Sequence, residues 1–240
     1  MKLSEYLFLK LQKILPQASL SRLLGQLAEN ETPWLKDTLI RWFISGYRIP
    51  LEEALEENPK QYKHFNAFFT RALKPHLRPI DPAHDSIVSP ADGTIAQAGH
   101  VQQKTFIQAK KFSYSLESIL GNRKDWADYF SDAPFLNIYL APYNYHRVHM
   151  PLDGKVLETL YIPGKVYSVN ALTTANIPGL YAENERLLCL LETEVGYVMM
   201  ILVGALFVAG IETVFGGDAG PSQLPIHTKL ETPYALKKGQ

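Results

Sequence analysis

The chain has 240 residues, enough to bury a sizeable core, and 46% of them are hydrophobic, which excludes a disordered polymer. Lys plus Arg and Asp plus Glu number 24 each, so the formal net charge is zero and no basic field exists to favour nucleic acid. The one cysteine, Cys189, excludes an internal disulfide scaffold and is expected to be a small core residue in the apolar run "RLLCLLETE".

The first 75 residues carry helical signals. In "LSEYLFLKLQKIL", Leu3, Tyr6, Leu7, Leu11, Ile14 and Leu15 fall on one helical stripe. A second helix is expected from Ser19 to Ala28. A third starts at the Thr32 cap with Pro33 at its first position and runs to Gly46. Two more are expected in "IPLEEALEENP", between Pro50 and Pro59, and in "YKHFNAFFTRALKP", before Pro75. Up to Pro50 the chain holds seven Lys/Arg against four Asp/Glu, together with Trp34, Trp42, Phe43 and Tyr47. Such helices suit the membrane–water boundary, or they form a cap packed on their own protein; these residues leave both readings open. No secretory signal is expected, because no apolar core with a small-residue cleavage site opens the chain.

After Pro75 the pattern becomes β. Apolar pieces of four to nine residues alternate with Gly, Pro and Asp, and one helical insertion is expected over Ser115–Phe130. "ADGTI" and "PLDGKV" share the form Asp-Gly-x-β-branched, a turn feeding a strand. Val195–Ile211 is the most apolar stretch, but it is short for a span and broken by Gly204 and Gly210. It predicts two buried strands joined at a glycine turn. The expected class is α+β: a helical segment over 1–75, then a β-rich domain over 76–240.

The chemistry concentrates in "YHRVHMP", Tyr145–Pro151. A strand to Leu140, an irregular elbow carrying His146 and a short strand carrying His149 would let both rings line one cleft. A zinc site would need further ligands, and neither HExxH nor a cysteine pair is present. Acid/base work is the other option, since imidazole is poised near neutral pH and a carboxylate can orient it. Asp92 in "SPADGTI" is the candidate orienter. There is no G-x-S-x-G elbow to supply a nucleophile, so the residues alone stop at a His–Asp pair lacking its third member.

Four stretches, in order, resemble the phosphatidylserine decarboxylase family: "FNAFFTR" (Phe65–Arg71), "SPADGTI" (Ser89–Ile95), "YHRVHMP" and "VGALFVAGIET" (Val203–Thr213). The resemblance implies a self-cleaving proenzyme. An internal serine in a Leu-Gly-Ser-Thr sequence becomes a pyruvoyl group capping a downstream α chain, and the upstream piece is the β chain. It implies that Asp92 and His149 serve that serine in self-cleavage and that His146 moves protons during decarboxylation. It turns the helical segment toward membrane association, and it implies a sandwich or hybrid-barrel β domain. Arg71 and Arg147 are candidate contacts for the anionic lipid head, because guanidinium suits phosphate. No resident metal is expected. The expected partners are the protein's own α chain, phosphatidylserine in a membrane and a second αβ unit, at the cytoplasmic face of a bacterial inner membrane. The sequence departs from the family in holding no Gly-Ser dipeptide. In the family a Lys-Gly-Gln-like segment, here at "KKGQ", precedes the cleavage site. The expectation is therefore that these residues are most of a β chain and are inactive alone. Alternatives are a zinc-dependent peptidase-like hydrolase and an inactive lipid-binding relative.

Overall fold

The computed structural model describes residues 3–14, 17–109, 112–206, 210–220 and 222–240. Helices and strands mix in an α+β chain. In order they are α1 (Leu3–Ile14), α2 (Gln17–Ala28), α3 (Pro33–Tyr47), α4 (Phe65–Phe69), β1 (Thr94–His100), β2 (Thr105–Ala109), β3 (Phe112–Ser115), α5 (Leu116–Ile119), α6 (Lys124–Tyr129), β4 (Pro134–Tyr139), β5 (Gly154–Ile162), α7 (Ala171–Thr174), α8 (Leu180–Glu183), β6 (Arg186–Thr193), β7 (Gly196–Val203), β8 (Glu212–Thr213), β9 (Gly217–Asp218) and β10 (Ile226–Leu236). Among the described residues no helix is long and apolar enough to cross a membrane.

Two compact units emerge, each assembled from separate pieces of chain. One comprises Met1–Arg22, Ala98–Leu136 and Lys155–Tyr234; the other comprises Leu23–Gln97, Asn137–Gly154 and Ala235–Gln240.

The first unit is built on a four-stranded sheet in the order β10-β5-β6-β7. β6 and β7 form an antiparallel hairpin in unbroken register, Arg186 opposite Val203 through Thr193 opposite Gly196. β6 is buried from Arg186 to Leu191, which is why it reads as a continuous apolar run rather than an alternation. Leu188 and Leu190 join Leu120, Trp126, Ala127, Leu160 and Leu180 in one core. Cys189 is buried in this strand, and burial pushes its thiol up to about 12, so it remains an inert core residue as expected. On α1 the residues turned inward are Leu9 and Gln12, whose Oε1 accepts from the Ser168 N–H at 3.0 Å. Of the apolar stripe read from the sequence, Leu3, Tyr6, Leu7, Leu11 and Ile14 are all exposed, and Leu15 lies outside the described residues.

The second unit packs aromatic rings around α3 and α4. Lys36, Ile40 and Phe43 form the buried face of α3, at helical spacing. Phe43 meets Phe65, Phe68 and Phe69 at centroid distances of 5.2, 6.1 and 5.8 Å. Trp34 and Trp42 lie on the exposed face. His64 caps α4, with Nδ1 accepting from the Ala67 N–H at 3.1 Å.

Some expected elements differ. Between Pro50 and Pro59 there is no α-helix, only a 3-10 turn at Leu51–Glu53, with a second at Pro59–Gln61. The reason is competition for the backbone: Leu55 N–H donates to Ala72 O and Lys74 N–H to Glu53 O, both at 2.9 Å, so the segment pairs with the residues after α4. The Ser115–Phe130 insertion is helical but broken into α5 and α6, because Gly121 and Asn122 both take positive φ (66° and 63°). Of the two strands expected over Val195–Ile211, β7 forms; 207–209, within the second, lie outside the described residues. Both Asp-Gly turns feed strands, β1 and β5.

Candidate active site

The residues singled out in the sequence, Arg71, Asp92, His146, Arg147 and His149, all belong to the second unit. After β4 the chain turns at Ala141–Asn144, where Ala141 N–H donates to Asn144 Oδ1 (2.7 Å) and Asn144 N–H to Ala141 O (2.9 Å). The next residues run extended without joining a regular strand, so the expected short strand around His149 is replaced by a threaded segment. On one side His149 N–H donates to Pro90 O (2.7 Å) and Val88 N–H to Pro151 O (2.9 Å). On the other, Met150 N–H donates to Gln240 O (2.7 Å) and Gly239 N–H to Met150 O (2.9 Å). The segment is held from both sides, by the loop before Asp92 and by residues 239–240.

Those last residues are themselves clamped. Asp153, in the second Asp-Gly turn, accepts from Lys237 Nζ (2.7 Å) and from the Lys238 N–H (2.8 Å). Lys238 Nζ donates to Ala83 O and Ser86 Oγ at 2.6 and 2.8 Å. Gly239 has φ of 83°, and a Cβ there would sit 2.7 Å from Ile80 Cγ1, so only glycine fits this turn.

His149 uses both ring nitrogens. Nδ1 lies 3.0 Å from Gly239 O and Nε2 lies 3.1 Å from the Tyr145 hydroxyl. A carbonyl oxygen can only accept, so Nδ1 carries the hydrogen. Nε2 is therefore the basic nitrogen, and it accepts from Tyr145. The Tyr145 ring stacks on the imidazole at 5.5 Å. Asp92 does not bond the imidazole. Its Oδ2 accepts from Arg78 Nε at 2.6 Å, and Arg78 Nη2 donates to Glu53 Oε2 at 2.8 Å. The Asp92 charge does reach Tyr145: with burial as the larger cause, it helps to hold the phenol above its usual range. Hydrogen bonds therefore join Glu53, Arg78 and Asp92 in one group and Tyr145, His149 and Gly239 in another, and only charge couples the two.

His146 occupies a different environment. Its ring stacks on Phe69 at 4.0 Å, and its Nε2–H donates to Ala141 O at 3.1 Å. Burial is the main force on it and pulls its pKa down to about 4. The Ala141 and Pro142 carbonyls act in the opposite sense, and the Arg71 charge lowers it further. The ring is neutral at physiological pH. Because it binds a proton less readily folded than unfolded (ordinary value 6.5), stability is full above about pH 6.5 and is lost as pH falls toward 4. The expected loss is at most on the order of 3 kcal/mol. Urea melts between pH 4 and 7 should show a slope that His146→Gln flattens; an equal slope in the variant would contradict this.

Arg147 donates Nε to Thr70 O at 2.8 Å and leaves the rest of its side chain exposed. Arg71 is buried, and burial pulls its pKa down. Among the described residues no three His, Cys, Asp or Glu side chains gather as metal ligands. Tyr145, Arg78 and Glu53 escaped the sequence reading, and Gly239 entered it only as part of "KKGQ". Tyr145 alone had a visible signal there, its place four residues before His149.

A family model for phosphatidylserine decarboxylase matches residues 65–240, which span every residue of this site except Glu53, and a second model, described as "PSD", matches 7–48. The chain belongs to the phosphatidylserine decarboxylase family. It is 43% identical over 242 residues to a phosphatidylserine decarboxylase proenzyme of Hahella chejuensis, covering 100% of this chain and 82% of that protein. It is 46% identical over 244 residues to the like-named proenzyme of Alcanivorax borkumensis, covering 100% of this chain and 84% of the relative. The Azotobacter vinelandii proenzyme is 48% identical over 219 residues, covering 91% and 77%. Membership of the phosphatidylserine decarboxylase family favours neither the zinc-peptidase reading nor an inactive lipid binder.

Proposed function

We infer that the chain belongs to a proenzyme that cleaves itself and then decarboxylates phosphatidylserine to phosphatidylethanolamine and CO2. The observation that carries this reading is the seating of residues 237–240 against His149 in a chain of this family. A segment that follows Gly239 and Gln240 would leave from the side of the ring where Gly239 O meets Nδ1, and would have to curl past the imidazole to reach the basic Nε2. In the self-cleavage step, a serine hydroxyl brought in by that segment replaces the Tyr145 hydroxyl at Nε2 and gives its proton to His149. Gly239 O and Tyr145 hold the ring in the right tautomer, and Asp92, fixed by Arg78, supports Tyr145.

The family's prosthetic group is a pyruvoyl cap, and the residues present fit it. A backbone clamp ends next to an oriented imidazole, and a neutral second imidazole, His146, is packed on an aromatic ring. Once formed, the pyruvoyl carbonyl supplies an electron sink for loss of CO2. His146 supplies the proton relay for that step, and Phe69 excludes water from it. The partner is the α chain made by the cleavage, and we propose a dimer of αβ units with a hybrid-barrel β domain.

We further propose that the protein acts as a peripheral protein at the cytoplasmic face of a bacterial inner membrane. The supporting observation is the outward apolar face of α1, at Leu3, Leu7, Leu11 and Ile14, together with exposed Trp34 and Trp42 on α3. Apolar helix faces with interfacial aromatic rings partition into the headgroup region. Replacing exposed Leu7 and Ile14 by Glu leaves the core intact, so folding should hold while binding to phosphatidylserine vesicles weakens by about tenfold or more. Unchanged sedimentation with vesicles would return these helices to a packing role. The activity itself is tested by release of CO2 from carboxyl-labelled phosphatidylserine by the complete proenzyme. Labelled lipid recovered intact would overturn the reading.

A further inference from the structure

Two arginines, Arg71 and Arg186, are each only 3% exposed, and the fold treats them differently. Every guanidinium nitrogen of Arg186 is bonded. Its Nε donates to Ile119 O at 2.7 Å, Nη1 to Ala182 O at 2.7 Å and Asn184 O at 2.9 Å, and Nη2 to Ser118 O at 2.7 Å. That is how a chain buries a guanidinium for structural ends. Arg71 is not treated so: its Nε and Nη1 are buried with no hydrogen-bond partner among the described residues. Its guanidinium carbon lies 5.4 Å from the Phe68 ring centroid, and Tyr62 and Glu53 influence it only through charge. A buried guanidinium with free donors is costly, and an anion that accepts from them removes the cost. The position of Arg71 is specific. It follows α4, whose Phe69 stacks on His146, and its charge is felt at that imidazole.

We propose that Arg71 anchors the phosphodiester of the phospholipid headgroup beside His146, a role that rests on the decarboxylase reading of this site. Two anions of phosphatidylserine compete for the assignment, the carboxylate and the phosphodiester. The carboxylate loses its charge as CO2 leaves, so a strong ion pair to it would stabilise the ground state more than the transition state and slow the reaction. The phosphodiester keeps its charge throughout. Holding it fixes the serine moiety without opposing the chemistry, because only the serine Cβ and Oγ separate phosphorus from the reacting carbon. The fork of a guanidinium matches two phosphate oxygens, which a lysine cannot reproduce.

The test uses the complete, processed enzyme and three soluble probes: glycerophosphoethanolamine, which has the phosphodiester and no carboxylate, glycerophosphoserine, which has both, and free serine, which has only the carboxylate. Calorimetric titration of wild type and Arg71→Gln should show at least tenfold weaker binding of both glycerophosphodiesters in the variant, with free serine unaffected. Arg71→Lys, which keeps the charge, should lie between, and it carries the same comparison if Arg71→Gln does not fold. In turnover, KM for phosphatidylserine should rise more than kcat falls, and self-cleavage should proceed. Unchanged affinity for glycerophosphoethanolamine, or a loss confined to glycerophosphoserine and serine, would overturn the assignment. Wild-type enzyme that turns over phosphatidylserine while the variants bind the probes normally sinks this inference alone; wild type without turnover sinks the functional reading beneath it.

Discussion

A complete proenzyme carrying His149→Ala should remain one uncut chain under conditions in which the parent is cleaved. Self-cleavage needs a serine alkoxide, and at neutral pH a hydroxyl yields its proton only to a positioned base. His149 is positioned from both sides. The Gly239 carbonyl at 3.0 Å forces the hydrogen onto Nδ1, and Tyr145 at 3.1 Å marks where the lone pair of Nε2 points. A positioned general base contributes about 10²–10⁴-fold, so cleavage should slow by that factor when the ring is removed. Pulse-chase analysis by gel and intact-mass spectrometry separates this from misfolding, because the variant should accumulate as soluble, full-length precursor. Asp92→Asn should slow cleavage too, but by acting through Tyr145 and Arg78 rather than on the imidazole itself. Tyr145→Phe, which removes the intervening hydroxyl, should then make a further Asp92→Asn change nearly silent; independent, multiplying effects would show that Asp92 acts by another route.

The second large effect is expected at His146. His146→Ala should be cleaved at close to the parent rate and then decarboxylate about 10²–10⁴-fold more slowly. The two rings are three residues apart yet belong to different settings. His149 lies among polar groups joined to residues 239–240, whereas His146 lies against Phe69 and bonds only backbone within its own turn. Failure of the variant to cleave would place His146 in the processing machinery instead. Comparing chain cleavage with lipid turnover on one preparation distinguishes the two outcomes.

The sequence carried much of this site, for identifiable reasons. The two histidines, Asp92 and the Asp-Gly turns are local patterns, and local patterns survive reading without a structure. β7 was legible as the first of the two apolar strands read over Val195–Ile211, but its pairing with β6 was not. The helix expected after Pro50 failed because its backbone donors and acceptors are captured by Leu73 and its neighbours across the unit, and no local propensity reports such a bridge. The α1 stripe was legible but which way it faces was left open, since periodicity defines a face without saying what covers it. Asp92 was expected to orient an imidazole directly. That its carboxylate lies on Arg78, and that a backbone carbonyl some ninety residues downstream of His149 sets the tautomer, are long-range facts. Arg71 was already a candidate contact for the lipid head from the sequence, at the end of "FFTR"; its unbonded, buried state needed coordinates.

The measurement that bears most directly on the account is intact-mass analysis of the complete proenzyme after incubation, followed by sequencing of the smaller product. The account predicts two chains, the smaller one starting with a carbonyl-capped residue that resists Edman degradation, and neither product in His149→Ala. Decarboxylation of phosphatidylserine by a chain that stays whole, or a cleaved chain starting with a free amine, would contradict it.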